Sequence, residues 1–386
     1  MAIQKFVIQI PELQLEELAR RLKTTIWPQY KESWSWERGS DKTYLNSLLQ
    51  YWQDQYDWRK EEKALNEFNQ FKCEIDGASI HFIHERGTGP NPIPLILTHG
   101  WPDSIVRYQK IIPMLTNPTK FGIDSKLSFD VIIPSLPGFG FSTLSDSQEC
   151  NNSIVADLWA KLMVDELGYD KFVASGGDIG SSVTRFLAAN YPDKLIGIHL
   201  TDVGIIRDLL SASDQSNLTS DELAYKKDAQ VWIAQEGGYM SLQSTKPLTF
   251  AYALSDSPIG LAAWIIEKFR SWSDCEGDIS KTFTSDELLT NIMLYWFNNT
   301  SNTAANIYYE NTHSLPTLKK VNVPLGVTIF PKDILLPPRS WVEKNYNVVQ
   351  WEVMPSGGHF TAMEKPDLFV ASLVKFVNSC NVKINE

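Results

Sequence analysis

Along the first part of the chain the apolar residues recur at helical spacing. Leu15, Leu18, Ala19, Leu22 and Ile26 fall on one face, with Glu16, Glu17, Arg20 and Arg21 elsewhere. An amphipathic segment of this kind over residues 1–70 needs a larger body to cover its apolar stripe, so it reads as a lid or wrap. At Phe71 the period changes to two: Cys73-Glu74-Ile75 and Ile80-His81-Phe82-Ile83-His84 alternate on either side of Asp76-Gly77, a dipeptide suited to a tight hairpin turn. Apolar runs of buried-strand type follow at 94–99, 129–134, 172–175 and 196–200, separated by helical stretches such as 154–167. Strands that alternate with helices imply a mostly parallel sheet. From 203 to 320 the alternation gives way to helical, aromatic-rich sequence, where a Thr284-x-x-Glu287 capping box ahead of Leu288-Leu289 marks one helix start. The strand pattern resumes at 323–330 and 348–354 and the chain closes with a helix over 367–377. The expected class is therefore α/β: a helical segment over 1–70, a core over 71–202 and 321–386, and a helical cap over 203–320 inserted into that core.

Composition narrows the partners. A hydrophobic fraction of 43% and a charged fraction of 21% belong to a globular protein with a sizeable core, and the 13 tryptophans fit either a core or a large apolar cavity. The net charge of -11, with no basic run, argues against nucleic acid and anionic membrane surfaces. Cys73, Cys150, Cys275 and Cys380 lie far apart without metal-ligand spacing, so a reducing compartment is expected. No signal-peptide pattern or membrane-length apolar run appears, the longest being 261–266, and the expected setting is cytoplasmic.

The segment Phe172-Val173-Ala174-Ser175-Gly176-Gly177-Asp178-Ile179-Gly180 carries the most chemistry. An apolar strand runs into Gly-x-Asp-x-Gly and then into the helical pattern Val183, Phe186, Leu187. Small residues two before and two after a central reactive residue are what a nucleophile elbow requires, because the turn leaves no room for larger ones. With aspartate in that place, the nucleophile is a carboxylate, which displaces a leaving group at an sp3 carbon and becomes an ester. Upstream, a strand ends in His99-Gly100-Trp101-Pro102, and the N–H of Trp101, with that of Ile179, would form an oxyanion hole; the plainer alternative is a tight turn closed by proline. Downstream, His359 in Pro355-Ser356-Gly357-Gly358-His359-Phe360 follows the last strand, and Asp333 in Phe330-Pro331-Lys332-Asp333 ends the strand before it, in the order nucleophile, acid, histidine. His81, His84 and His199 lie within strands and read as structural. A departing alkoxide is too basic to leave unaided and needs a donor protonated at neutral pH; Tyr239 in Gly237-Gly238-Tyr239-Met240 and Tyr308 in Asn306-Ile307-Tyr308-Tyr309-Glu310-Asn311 are the candidates.

Taken together, His99 to Pro102, the Asp178 elbow, Leu136-Pro137-Gly138-Phe139-Gly140-Phe141-Ser142, Gly238-Tyr239-Met240 with Thr245-Lys246-Pro247, and Asp256-Ser257-Pro258-Ile259-Gly260-Leu261-Ala262-Ala263 resemble the microsomal-type epoxide hydrolases, which include the juvenile-hormone epoxide hydrolases. The likeness covers nearly the whole chain, from the amphipathic N-terminal segment to Gly358-His359-Phe360. It implies an α/β-hydrolase core, a small apolar epoxide and water as reactants, and no cofactor or metal. It also implies Asp178 as nucleophile, His359 as the base that activates water, Asp333 as its orienting acid, and Tyr239 and Tyr308 as donors, with Tyr308 preferred over Tyr309 for its three-residue distance to Asn311. Trp101, Pro102 and Phe360 are expected at the substrate pocket. The membrane-anchoring helix of the animal enzymes has no counterpart in the sequence, so no membrane anchor is expected. Oligomeric state is left open, a homodimer among the alternatives. The rival readings are a haloalkane dehalogenase, which needs halide-binding Trp or Asn and no tyrosine pair, and an α/β-hydrolase fold turned to ligand binding or biosynthesis.

Overall fold

The computed structural model describes residues 3–123, 127–145, 148–204 and 217–380. The start of the N-terminal segment, residues 205–216 of the expected cap and residues 381–386 thus lie outside the described residues. A sheet of nine described strands runs through the molecule in the order β1-β2-β3-β5-β4-β6-β7-β8-β9. Their bounds are β1 Gln4–Phe6, β2 Gln70–Ile75, β3 Ala78–Glu85, β4 Ile93–Thr98, β5 Phe129–Pro134, β6 Phe172–Gly176, β7 Leu195–Leu200, β8 Pro324–Ile329 and β9 Asn347–Val353. The pairings β1–β2, β2–β3 and β3–β5 are antiparallel and the remaining five parallel. Asp76 and Gly77 close the β2–β3 hairpin with φ of 51° and 85°, the positive values a two-residue turn of matching twist requires. Every residue of β5 and β6 is buried, whereas β9 at the edge is mostly exposed or half-buried. The central strands are covered on both faces, which is why their sequences are continuous apolar runs.

The helix Ile179–Asn190 packs on β4, β6 and β7 and against Asn152–Lys161, while Pro366–Ser379 lies on β7, β8 and β9. In the N-terminal segment three helices, Glu12–Lys23, Lys42–Asp54 and Trp58–Leu65, start behind Pro11, Asp41 and Asp57; the two aspartates accept hydrogen bonds from first-turn N–H groups. They bury Leu18, Leu22, Leu45, Leu49, Trp52 and Leu65, packing on the helices Pro258–Ser271 and Ser285–Phe297. Ile26 departs from expectation: the first helix ends at Lys23 and Ile26 is 91% exposed. The Trp27-Pro28 bond ahead disfavours helical backbone, so the chain leaves the apolar stripe before reaching Ile26.

Between β7 and β8 lie the helices Ser220–Glu236, Gly238–Thr245, Pro247–Asp256, Pro258–Ser271, Ser285–Phe297 and Ser301–His313. The capping box at Thr284 and Glu287 is formed, and a second one, Thr219 with Glu222, opens the first of these helices. Buried Glu222 also accepts from Ser340 and from Lys344 at 2.9 Å, tying this block to the helix Arg339–Asn345. Among the described residues no helix is long and apolar enough to cross a membrane.

Candidate active site

β6 passes into the helix Ile179–Asn190 through Gly177 and Asp178, and Asp178 has φ 56° and ψ −127°. That backbone costs a non-glycine residue on the order of 1–3 kcal/mol, and it persists only where the surroundings impose it. They do so through close packing. A Cβ at Gly176 would lie 2.3 Å from the Gly180 carbonyl oxygen, and one at Gly180 would lie 2.0 Å from that of Thr98. The small residues read from the sequence are thus a steric necessity, and the turn lifts the Asp178 carboxylate off the C-terminal end of the sheet.

The turn after β4 meets it. The Trp101 N–H donates to Asp178 Oδ1 at 2.8 Å, and the approach is so close that a Cβ on Gly100 would lie 2.3 Å from the same oxygen. Trp101-Pro102 is a cis peptide bond. The turn is braced from behind: Asp103 Oδ1 accepts from the Gly100 N–H at 2.7 Å, and its other oxygen is paired with Arg107, both side chains 1% exposed. Burial opposes the Asp103 charge, but the guanidinium overcomes it and holds the carboxyl well below the usual range. From the helix Ser285–Phe297, Asn291 donates to the Pro102 carbonyl at 2.8 Å and Tyr295 to the Asp103 carbonyl at 2.7 Å. Arg107 also donates to the His359 carbonyl at 2.8 Å, so one buried cation links the two loops of the site. None of Asp103, Arg107, Asn291 and Tyr295 was expected; the only local hint is the four-residue spacing of Asp103 and Arg107.

His359 stands in the loop after β9, its N–H donating to the Trp272 carbonyl at 2.7 Å. Its Nδ1 donates to Asp333 Oδ1 at 2.7 Å, and Asp333 Oδ1 also accepts from the Ile334 N–H. Nε2 faces Asp178 Oδ2 at 3.5 Å, an ion-pair distance rather than a hydrogen bond. Burial alone would lower the imidazole pKa, but the Asp333 charge and the nearby Asp178 carboxylate outweigh it and raise His359 to about 10. Histidine is therefore an imidazolium between two carboxylates.

A cavity of about 440 Å³ opens over Asp178, lined among others by Asp202, Trp232, Tyr239, Tyr308 and Asp333. Ile179, the first residue of the helix, lines it too. Tyr239, from the helix Gly238–Thr245, stacks its ring on Trp101 at 5.1 Å and 9°, and the Tyr308 ring stands 6.1 Å from each of them. Burial first, then the charge of Asp178, pushes both phenols well above their ordinary pKa, so both hydroxyls keep their protons at neutral pH. Tyr308 is set by its helix: one turn on, Asn311 exchanges two hydrogen bonds of 2.9 Å with the backbone N–H and side chain of Asn152. Tyr309 points elsewhere, stacked 4.0 Å from the exposed ring of His313.

The remaining expectations fare differently. Phe360 does not line the cavity; fully buried, its ring is stacked on Phe269 at 4.0 Å and 2°, against Phe283, because consecutive loop residues point apart and only His359 turns to the site. Trp101 and Pro102 are also absent from its lining; Trp101 is 3% exposed and acts on the site through its N–H and the face shared with Tyr239, and buried Pro102 through its carbonyl. His81 bridges Ser135 and Gln70, His84 meets the Tyr169 hydroxyl, and His199 lies between Ser175 and Thr328, all away from Asp178. Asp202, just past β7, is a carboxylate that sequence reasoning passed over; burial, then the charge of Asp333, raises it to about 6. Its position at the C-terminal end of a parallel strand, where sites of open α/β sheets gather, was the available signal.

A mostly parallel sheet whose elbow bears a carboxylate, faced by a backbone donor, a histidine–aspartate pair and two phenols, has the architecture of an α/β hydrolase. Family models agree: residues 3–108 match the epoxide hydrolase N terminus and residues 93–274 the alpha/beta hydrolase fold. Epoxide hydrolase 1 of Oryctolagus cuniculus is 35% identical over 97% of this chain and 89% of its own. Among solved structures, the juvenile hormone epoxide hydrolase of the silkworm Bombyx mori is 30% identical with TM-score 0.86 over 98% of this chain and 94% of that one. The Aspergillus niger epoxide hydrolase, also 30% identical, has TM-score 0.85 over 98% and 97%. The chain belongs to the epoxide hydrolase family.

Proposed function

We propose that the chain hydrolyses small, largely apolar epoxides to vicinal diols through an ester on Asp178. The observation that carries this reading is the division of labour on one carboxylate: Oδ1 is held by the Trp101 N–H at 2.8 Å, Oδ2 faces His359 Nε2 at 3.5 Å, and Asp178 lines the same cavity as Tyr239 and Tyr308. Oδ2 attacks an epoxide carbon as the C–O bond breaks, and a tyrosine passes its proton to the departing oxygen. Esterification removes the Asp178 charge, one of the two that hold the His359 proton. The imidazolium then returns a proton to the phenolate and becomes the base that takes one from water. Water attacks the Asp178 carbonyl carbon, the developing charge on Oδ1 is met by the Trp101 and Ile179 N–H groups, and on collapse the remaining proton of the added water passes to the departing oxygen, which frees the diol with the Asp178 carboxylate and the imidazolium restored. The four cysteines are unpaired, and we place this work in a reducing setting such as the cytoplasm.

Assay of styrene oxide beside a chloroalkane tests it. Diol formation from the epoxide, abolished in Asp178→Ala, with no halide release from the chloroalkane is the expected result; halide release without diol would overturn the reading.

A further inference from the structure

Tyr239 is a reluctant acid. Burial, Asp178 and Asp202 all oppose its phenolate, yet the reading above asks it to give up a proton as the epoxide opens. What lies against its ring bears on that difficulty. Lys268, in the helix Pro258–Ser271, is only 6% exposed, and its ammonium stands 5.0 Å from the centroid of the Tyr239 ring and 5.6 Å from that of Trp272. Nζ pairs with Glu267 at 2.6 Å and approaches Glu236 at 4.0 Å, so two carboxylates flank it within the apolar wall. Lysine is rarely buried to this extent, and a helix position facing the aromatic wall could be filled by an apolar side chain at less cost. Trp272, under the same cation, is also the residue whose carbonyl holds the His359 N–H.

We propose that Lys268 is a positioning residue for ring opening: its ammonium, seated over the Tyr239 ring, stabilises the negative charge that ring takes on as the hydroxyl proton passes to the epoxide oxygen. The O–H bond of Tyr239 breaks with its electron pair remaining on the phenolate. The proton forms the new O–H on the substrate, the epoxide C–O bond breaks, and the Asp178 Oδ2–carbon bond forms. A cation over an aromatic face interacts more strongly with phenolate than with phenol, so the gain is felt in the transition state rather than in binding. Glu267 acts in the opposite sense, since its charge pushes the Tyr239 proton affinity up. The inference rests on Tyr239 as a donor.

Single-turnover reaction of the full chain with styrene oxide separates alkylation of Asp178 from hydrolysis of the ester, by quenching and weighing the peptide that carries the adduct. Lys268→Met should slow alkylation by about 10- to 30-fold, the scale of a desolvated cation–π contact, and leave ester hydrolysis and KM within about 2-fold. Lys268→Arg should restore most of the rate. Glu267→Gln should move alkylation the other way, faster by about 2- to 5-fold, since it leaves the ammonium less neutralised. In a Tyr239→Phe background, Lys268→Met should cost less than about 2-fold, because no phenolate remains to stabilise. Equal slowing of both half-reactions, an undiminished effect in the Phe background, or a Glu267→Gln variant that slows alkylation would overturn the proposal. If Lys268→Met does not fold by near-ultraviolet circular dichroism, the opposite signs expected for Glu267→Gln and the near-wild-type rate of Lys268→Arg still decide it. A neutral Tyr239→Phe change, in contrast, would refute the donor reading itself, a different outcome.

Discussion

The proposed reaction places two chemically unlike jobs on side chains a few ångströms apart, and single substitutions should separate them. His359→Gln removes the base but leaves Asp178 and its Trp101 donor in place, so alkylation should proceed and hydrolysis stop. Incubated with epoxide, the variant should gain the mass of one substrate on the peptide bearing Asp178; a variant with neither adduct nor turnover, yet still able to bind substrate, would remove His359 from that role. The phenols are distinguished by direction. Tyr308 lines the cavity while Tyr309 stacks on His313. Tyr308→Phe should therefore slow alkylation by roughly 10- to 10³-fold and Tyr309→Phe by less than about 2-fold, on the usual scale of general-acid effects. The reverse order in stopped-flow measurements would exchange the two. At this scale the sequence was legible wherever a residue's neighbours in the chain constrain it, as the glycines do around Asp178. It misled at Phe360, because adjacency to His359 says nothing of which way a loop side chain turns. Lys268 was illegible because the Tyr239 ring it faces comes from another helix, and Asp202 was marked only by its place at the end of a strand.

Among the elements, the turn that follows β4 has the most to lose. Its donor is aimed by a buried ion pair and by two hydrogen bonds from the helix Ser285–Phe297, a helix whose start could be read from Thr284 and Glu287 but whose Asn291 and Tyr295 could not be connected to a turn nearly 190 residues upstream. Asp103→Asn leaves Arg107 buried without its carboxylate, and removing one partner of such a pair typically costs about 3–5 kcal/mol. The loss should appear as a lower denaturant midpoint. Because Asp103 also holds the Gly100 N–H, turnover should fall by up to roughly 10²-fold as the Trp101 donor drifts, approaching the loss of one oxyanion contact. Full activity in a destabilised Asp103→Asn variant would show that the turn keeps its aim without the brace. The hairpin at Asp76-Gly77 and the strands of the central sheet were plain in the pattern because period and turn chemistry are local properties. The end of the first helix was not, since Ile26 keeps the apolar spacing after the backbone has stopped following it.

The whole molecule carries the charge state of the site into its stability. His359 has a folded pKa of about 10 against an ordinary value of 6.5. Its contribution is fully present below pH 6.5 and is lost as pH rises toward 10. The stability difference between wild type and His359→Gln, measured by denaturant unfolding, should therefore be largest near pH 6 and shrink through pH 6.5 to 10; a difference that stays constant would contradict the imidazolium between two carboxylates. Asp202 has the opposite sense, its pKa raised from 3.8 to about 6. Its burial costs stability above that value and nothing below the ordinary carboxylate range, so Asp202→Asn should stabilise the protein at pH 8 and leave it unchanged near pH 3. The kinetic predictions depend on Asp178 forming a bond to the substrate, and the fate of oxygen tests that directly. In a single turnover in ¹⁸O-water with enzyme in excess, water attacks the ester carbonyl, so the diol should leave unlabelled and the heavy oxygen should remain on Asp178. Full label in that first diol would mean that water attacks the epoxide itself, and would contradict the account at its centre.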